Sequence, residues 1–417
     1  MKSTVSNRES KYRFFELVKT QNQDGYELRI GRIINNCGEV LETPNFIPVA
    51  TNASIRALDS IRLKKMNING IFVNTYHLHL HPGEDIIESL GQIHKFMNYN
   101  GIIFSDSGGF QAFSLGQAMI EGVGKIASIF SNTPHKTTNS EKFAEVTDEY
   151  ILFKSHIDGK QVKLTPEKSI DIQIKLGTDI LMVLDECTSP LASYEYTQKS
   201  LERSHRWAIK CLEYFVKHKK KHQHLYGIIQ GGYFHDLRIK SAQFVTSLEF
   251  DGIAIGGSLG TSKQNIKEIL SWIHPYIPQH LPRHLLGIGT IPEIFTAIEN
   301  GIDTFDCVIP TRYARTGTVF VFNSPNFVAD ITAKYYNGKE AKKYDLPIDP
   351  NCNCYTCKNY TVSYLHHLFY VGEIAAMSLL TIHNLHFYSQ LLENIRQSIL
   401  EGKYTQFKNQ ILSYQKT

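Results

Sequence analysis

A carboxylate in the middle of an apolar run needs a partner or a use, because an isolated charge is costly to bury. The stretch Gly301–Gly317, G-I-D-T-F-D-C-V-I-P-T-R-Y-A-R-T-G, sets Asp306 in that position. The run stops at Pro310, and Arg312 and Arg315 follow it. Other apolar runs end in comparable polar turns: S-D-S-G-G-F-Q at Ser105–Gln111, L-D-E-C-T-S-P at Leu184–Pro190, I-I-Q-G-G at Ile228–Gly232 and A-I-G-G-S-L-G at Ala254–Gly260. One aspartate after a strand is commonly the cap of the next helix. Three of them (Asp106, Asp185, Asp306), joined by Gln230 and glycine pairs, exceed what capping needs. Asp and Gln side chains can read the donor and acceptor edges of a purine-like ring. Gly256-Gly257 lets main-chain N–H groups approach such a ring closely, and Phe110 can stack on its face. With Asp106 and Asp306 on one rim, one carboxylate can attack a sugar carbon while the other handles a proton, the logic of retaining glycosyl chemistry. The two arginines suit bidentate contacts to phosphates.

A second group of residues points to a metal. Cys352-x-Cys354-x-x-Cys357 offers three soft ligands, and zinc takes four in a tetrahedron. By spacing alone His366, His367 and His383 compete for the fourth place. The site would be closed, so its zinc would be structural. Cys307, beside Asp306, reads as packing, since nothing nearby is placed to activate it.

The elements that must carry these residues follow from the hydrophobic pattern. Eight short, nearly continuous apolar runs begin at Phe46, Gly70, Gly101, Ile180, Leu225, Phe250, Arg283 and Ile302. Such runs mark strands buried on both faces, as in parallel sheets. Helix-like intervals such as 165–176, 197–215 and 292–299 separate them. The alternation predicts a (β/α)₈ TIM barrel, whose active site lies at the C-terminal ends of its strands; an open doubly wound sheet is the alternative. A polar excursion, Gln117–Gln161, follows the third run, and the region 328–389 reads as a zinc-binding subdomain. The expected division is a catalytic barrel over 1–327, the zinc subdomain over 328–389, and a C-terminal helix over 390–417 packing back on the barrel. Lys334, Tyr335, Tyr336, Lys339, Lys342, Lys343, Lys358 and Tyr360 are candidates for RNA contact. The formal charge of +4 does not by itself argue for nucleic acid. Hydrophobic content of 42% and charged content of 20% are ordinary for a globular protein. No leader and no membrane-length apolar run is visible, so the cytoplasm is the expected location.

Taken together, S-D-S-G-G-F-Q, D-E-C-T, G-I-I-Q-G-G, A-I-G-G, G-I-G-T and G-I-D-T-F-D-C-V-I-P-T-R-x-A-R-T-G resemble the tRNA-guanine transglycosylases, the queuine tRNA-ribosyltransferases. The resemblance runs from about Arg29 to Tyr388. It implies a barrel with an inserted zinc subdomain, and exchange of guanine at the anticodon wobble position of tRNA for a 7-deazaguanine. By motif, Asp306 resembles the nucleophile and Asp106 the proton acceptor. Ser107, Asp185, Gln230 and the Gly257 backbone resemble the base-recognition set, with Phe110 stacking and Leu286 on the opposite wall. Arg312 and Arg315 resemble residues flanking the RNA, and His383, in T-I-H-N, resembles the fourth ligand of one structural zinc ion per subunit. The resemblance also implies a homodimer and tRNAs with G-U-N anticodons. After Gly257 the chain reads S-L-G-T-S where L-A-V-G-E is common. Gly260 thus replaces a bulkier valine, which leans the expected base from 7-aminomethyl-7-deazaguanine (preQ1) towards queuine. A non-catalytic partner subunit should have lost Asp106 or Asp306, and both stand here. The archaeal-type branch carries further C-terminal RNA-binding domains, for which the sequence shows no room.

Overall fold

The computed structural model describes residues 13–110, 144–155, 159–257, 259–260, 263–322, 327–331 and 345–414. Most of the polar excursion and the basic candidates from Lys334 to Lys343 therefore lie outside the described residues. The chain enters through an antiparallel meander of β1 (Phe15–Gln23), β2 (Tyr26–Ile34) and β3 (Val40–Thr43). Asp24 and Gly25, with φ of 52° and 81°, make its first turn. Two residues with positive φ suit the right-handed twist of a hairpin.

Next come β4 (Asn45–Ala50), β5 (Gly70–Val73) and β6 (Ile102–Ser105). The described part of the excursion forms a small antiparallel sheet of β7 (Ala144–Val146), β8 (Ile151–Lys154) and β9 (Gln161–Leu164). The chain continues through β10 (Ile180–Met182), β11 (His224–Ile229), β12 (Gly252–Ile255), β13 (Arg283–Leu285) and β14 (Thr304–Cys307), then the hairpin strands β15 (Thr318–Phe320) and β16 (Val328–Asp330). Strands β4, β5, β6, β10, β11, β12, β13 and β14 close a barrel in that order, and each neighbouring pair is parallel. All eight apolar runs of the sequence thus hold a barrel strand, and the doubly wound alternative falls. Ile71, Ile103, Leu181, Ile253 and Phe305 are fully buried, as a sheet covered on both faces demands.

The apolar runs are longer than the strands inside them. Gly70–Leu78 holds β5 and then a helix, Thr75–Leu80; Ile302–Thr311 holds β14 and the start of a helix, Ile309–Arg315. Asn74 caps the first, its side chain accepting from His77 N, and Pro310 opens the second. After residue 345 come the helices Tyr355–Asn359, Val362–Tyr370, Ile374–Leu400 and Tyr404–Leu412. The third runs unbroken through position 389, where the sequence reading divides subdomain from C-terminal helix. It lies against the barrel wall: Arg396 Nη1 donates to Pro44 O at 2.9 Å, and the Tyr388 ring meets Phe46 at 4.7 Å. Among the described residues no helix is long and apolar enough to cross a membrane.

Candidate active site and metal centre

The parallel strands deliver their C-terminal ends, and the polar turns that follow them, to one mouth. Asp106 follows β6 directly. Its Oδ1 accepts from Thr75 N at 2.7 Å and its Oδ2 from Asn74 Nδ2 at 2.5 Å. The Thr75 hydroxyl in turn donates to Asp106 O at 2.5 Å. Asn74 therefore both caps the helix after β5 and fixes the rotamer of Asp106. Neither Asn74 nor Thr75 was singled out in the sequence, although a polar pair between a strand and a helix is a cap signal.

Ser107, Asp185, Gln230 and Gly257 come together from four neighbouring strands. Ser107 Oγ donates to Asp185 Oδ1 at 3.3 Å, and Gln230 Nε2 donates to Asp185 Oδ2. At Gly257 φ is +76°, and a Cβ would overlap Gln230 Oε1, so only glycine fits. Arg238, fully buried, secures the two glycine turns behind this set. Its Nε donates to Gly232 O at 2.8 Å and its Nη1 to Ile229 O and Gly256 O at 3.1 and 3.0 Å. Burial pulls its guanidinium down to about 9. Leu286 is half-buried, with its Cδ1 3.4 Å from where a Cβ on Gly256 would stand, while Phe110 presents an exposed ring. An acidic and an amide side chain, joined and pinned in this way, can read a guanine-like edge.

Asp306 leaves β14 at the same mouth, with its side chain 14% exposed. Its Oδ1 receives the Gly287 N–H at 2.9 Å and lies 3.2 Å from His284 Nε2. His284 escaped the sequence reading because a histidine inside R-H-L-L looks like core. Cys307 is no rival to Asp306: burial pushes its thiol up to about 12. The helix Ile309–Arg315 then carries Arg312, exposed, and Arg315, half-buried. Burial, then the charges of Arg56 and Arg312, push the Arg315 guanidinium below its ordinary value. Three cations gathered in this way favour a polyanion.

On the barrel's flank, Cys352, Cys354, Cys357 and His383 converge, with their ligand atoms within 4.8 Å of one another. His383 Nδ1 lies 3.7, 3.7 and 3.3 Å from the three sulfurs. The edge of a zinc tetrahedron between sulfur and nitrogen is about 3.6 Å, so the donor set fits a metal ion. His383 Nε2 lies 2.8 Å from Phe320 O. A proton on Nε2 donates there and leaves Nδ1 as the ligand, the usual outer support of a metal-bound histidine. The structure thus selects His383 over His366 and His367. The neighbouring Asn384 is fully buried and uses its whole amide. It donates to Pro310 O and Thr318 O, each at 3.0 Å, and accepts from Phe320 N at 3.0 Å. The metal ligand and the arginine helix are one amide apart.

A closed barrel with its polar groups at one mouth and a Cys3His cluster on its flank is the architecture of a TIM-barrel enzyme with a metal-binding subdomain. The family profile described as queuine tRNA-ribosyltransferase matches residues 24–417, and the chain belongs to that family, the tRNA-guanine transglycosylases. An Archaeoglobus fulgidus protein provisionally named a queuine tRNA-ribosyltransferase is 46% identical, over 93% of this chain and 97% of its own. Queuine tRNA-ribosyltransferases of a Roseiflexus species and of Bacillus subtilis are 41% and 39% identical, over 91% and 95% of this chain and 94% of each of theirs. The chain is similar to these enzymes along nearly its whole length, and tRNA is the substrate class of the family.

Proposed function

We propose that this transglycosylase exchanges guanine at the anticodon wobble position of tRNAs with G-U-N anticodons for a 7-deazaguanine, preQ1 or queuine, by double displacement. Asp306 is the nucleophile that bonds to the ribose. Asp106 accepts the proton of the incoming base. Ser107, Asp185, Gln230 and the Gly257 main chain read that base between Phe110 and Leu286, and Arg312 and Arg315 hold the RNA backbone. The observation that carries the reading is the placing of Asp306: a carboxylate at the mouth, its Oδ1 receiving the Gly287 N–H, on the rim it shares with Asp106. Two displacements at one carbon retain its configuration, and no cofactor takes part.

The metal is read as one structural zinc ion per subunit, held by Cys352, Cys354, Cys357 and His383, with no part in the chemistry. The division into a barrel over 1–327, a zinc subdomain over 328–389 and a C-terminal segment over 390–417 belongs to the same reading, as do a homodimer and a cytoplasmic location. The exposed side chains of Tyr364, Tyr370, Val371 and Ile374 give the zinc side an apolar flank that a second subunit could cover. Quenching the reaction with tRNA under denaturing conditions tests the chemistry. Native protein should yield a trapped RNA–protein adduct, Asp306→Asn none, and Asp106→Asn should block turnover. An adduct that persists in Asp306→Asn refutes the assignment.

A further inference from the structure

His284 is completely buried in β13. Its ring lies 5.6 Å from that of Phe72 on β5 and 5.4 Å from that of Phe104 on β6. Those rings fix its plane. Its Nδ1 is 2.8 Å from Thr304 Oγ1 and its Nε2 is 3.2 Å from Asp306 Oδ1, both on β14. Because Nε2 faces a carboxylate, it carries a proton, and the Thr304 hydroxyl serves the other nitrogen. With Gly287 N–H, Asp306 Oδ1 thus has two donors. The groups facing the imidazole are Thr304 and Asp306 from β14, Phe72 from β5, Phe104 from β6 and Ala254, its register partner on β12. Asp306 is the charged group with which the described structure pairs it.

We infer that His284 is a positioning residue that sets how readily Asp306 lets the ribose go, an inference that rests on Asp306 being the nucleophile. In the first displacement an Asp306 oxygen bonds to ribose C1′. The bond from C1′ to guanine breaks, and its electron pair leaves with the base, which takes up a proton. In the second, the deprotonated ring nitrogen of the incoming 7-deazaguanine bonds to C1′, and the C1′–O bond returns its pair to Asp306. A hydrogen bond to a carboxylate is stronger than one to a neutral acyl oxygen. Donors on Oδ1 therefore stabilise free Asp306 on either side of the ester more than they stabilise the ester. They make Asp306 the better leaving group and keep the covalent intermediate from becoming a resting state.

The test uses the whole enzyme with tRNA, an incoming 7-deazaguanine and a denaturing quench, on native protein, His284→Phe, His284→Gln and Asp306→Asn. In His284→Phe the trapped ester should rise as a fraction of enzyme, and its release by the incoming base should slow about tenfold. His284→Gln, whose amide can donate to the same oxygen, should restore both. If His284→Phe lowers ester and turnover together, and His284→Gln does the same, the histidine is core packing and the inference fails. Should that variant not fold, Thr304→Val is read instead: it removes the hydroxyl that anchors the ring through Nδ1 and so holds Nε2 against Asp306, and a native ester level in it overturns the inference. Ester persisting in Asp306→Asn sinks the nucleophile reading itself. Loss of ester there, with native behaviour in His284→Phe, sinks this inference alone.

Discussion

At Gly260 the backbone φ is +86°, and a Cβ would stand 2.6 Å from both Cβ and Oδ1 of Asn265. A side chain at this position therefore meets a strained backbone and an occupied neighbour at once. Gly260→Val should cost roughly 1–3 kcal/mol in urea denaturation. Adding Asn265→Ala should return the steric part of that loss and not the backbone part. A Gly260→Val protein as stable as the native one would contradict this geometry. Turnover of preQ1 against queuine in the same variants measures how far the pair bounds the base. Among single residues, those that stood out in the sequence were charges against an apolar background: Asp106, Asp185 and Asp306. What the sequence hid was their support. His284, Asn74 and Thr75 have types that ordinary cores and caps use every day, and only proximity in space reveals what they hold.

Glu84 works between elements. It begins the helix Glu84–Ser89 and accepts from His79, on the helix after β5, and from Lys168, on the helix Pro166–Leu176, each at 2.7 Å. Burial alone would raise its carboxyl, but hydrogen bonds from His79 and Lys168 prevail and hold it at about 2, against an ordinary 4.5. The unfolded chain therefore takes up this proton first as pH falls. The stability contributed by Glu84 is complete above about pH 4.5 and is lost as pH falls towards about 2. Glu84→Gln should remove up to about 3 kcal/mol at neutral pH and flatten the acid side of the stability curve, measured by denaturant titration from pH 7 to 3. An unchanged slope would mean the three helices do not depend on it. The helix that Glu84 ties down also presents Asn74 and Thr75 to Asp106, so activity should fall with stability. The strands themselves were legible because doubly covered strands are apolar throughout. The helices that begin inside the same apolar runs were not, since an apolar run has no period to mark where a strand ends. The β1–β3 meander was missed for the opposite reason: β1 and β3 alternate buried with more open positions and β2 interrupts its apolar residues with Arg29 and Arg32, so no continuous run marks them, and the one strong signal was the two-residue turn at Asp24-Gly25.

The molecule as a whole depends on the helix Ile374–Leu400. It carries His383 to the cysteines, Asn384 to the arginine helix, Tyr388 OH to Gly289 O at 2.6 Å and Arg396 to the base of β4. Purified protein should contain one zinc ion per chain. A strong chelator should lower the melting temperature by roughly 5 °C or more and weaken tRNA binding, with loss of RNA affinity measured by filter binding. Full affinity in metal-free protein would show that the flank and the mouth are uncoupled. Seen in the order of synthesis, the same helix has another consequence. The ribosome delivers Asp306 and all eight barrel strands before Cys352, and the cysteines before His383. Nothing can complete the metal's ligand set, or seat Asn384 against Pro310, until the final stretch of chain emerges. A nascent or truncated polypeptide that already carries Asp306 therefore still lacks the tie between the cysteine flank and the helix of Arg312 and Arg315. It is the arrival of Ile374–Leu400, one helix before Tyr404–Leu412, that closes the flank onto the barrel.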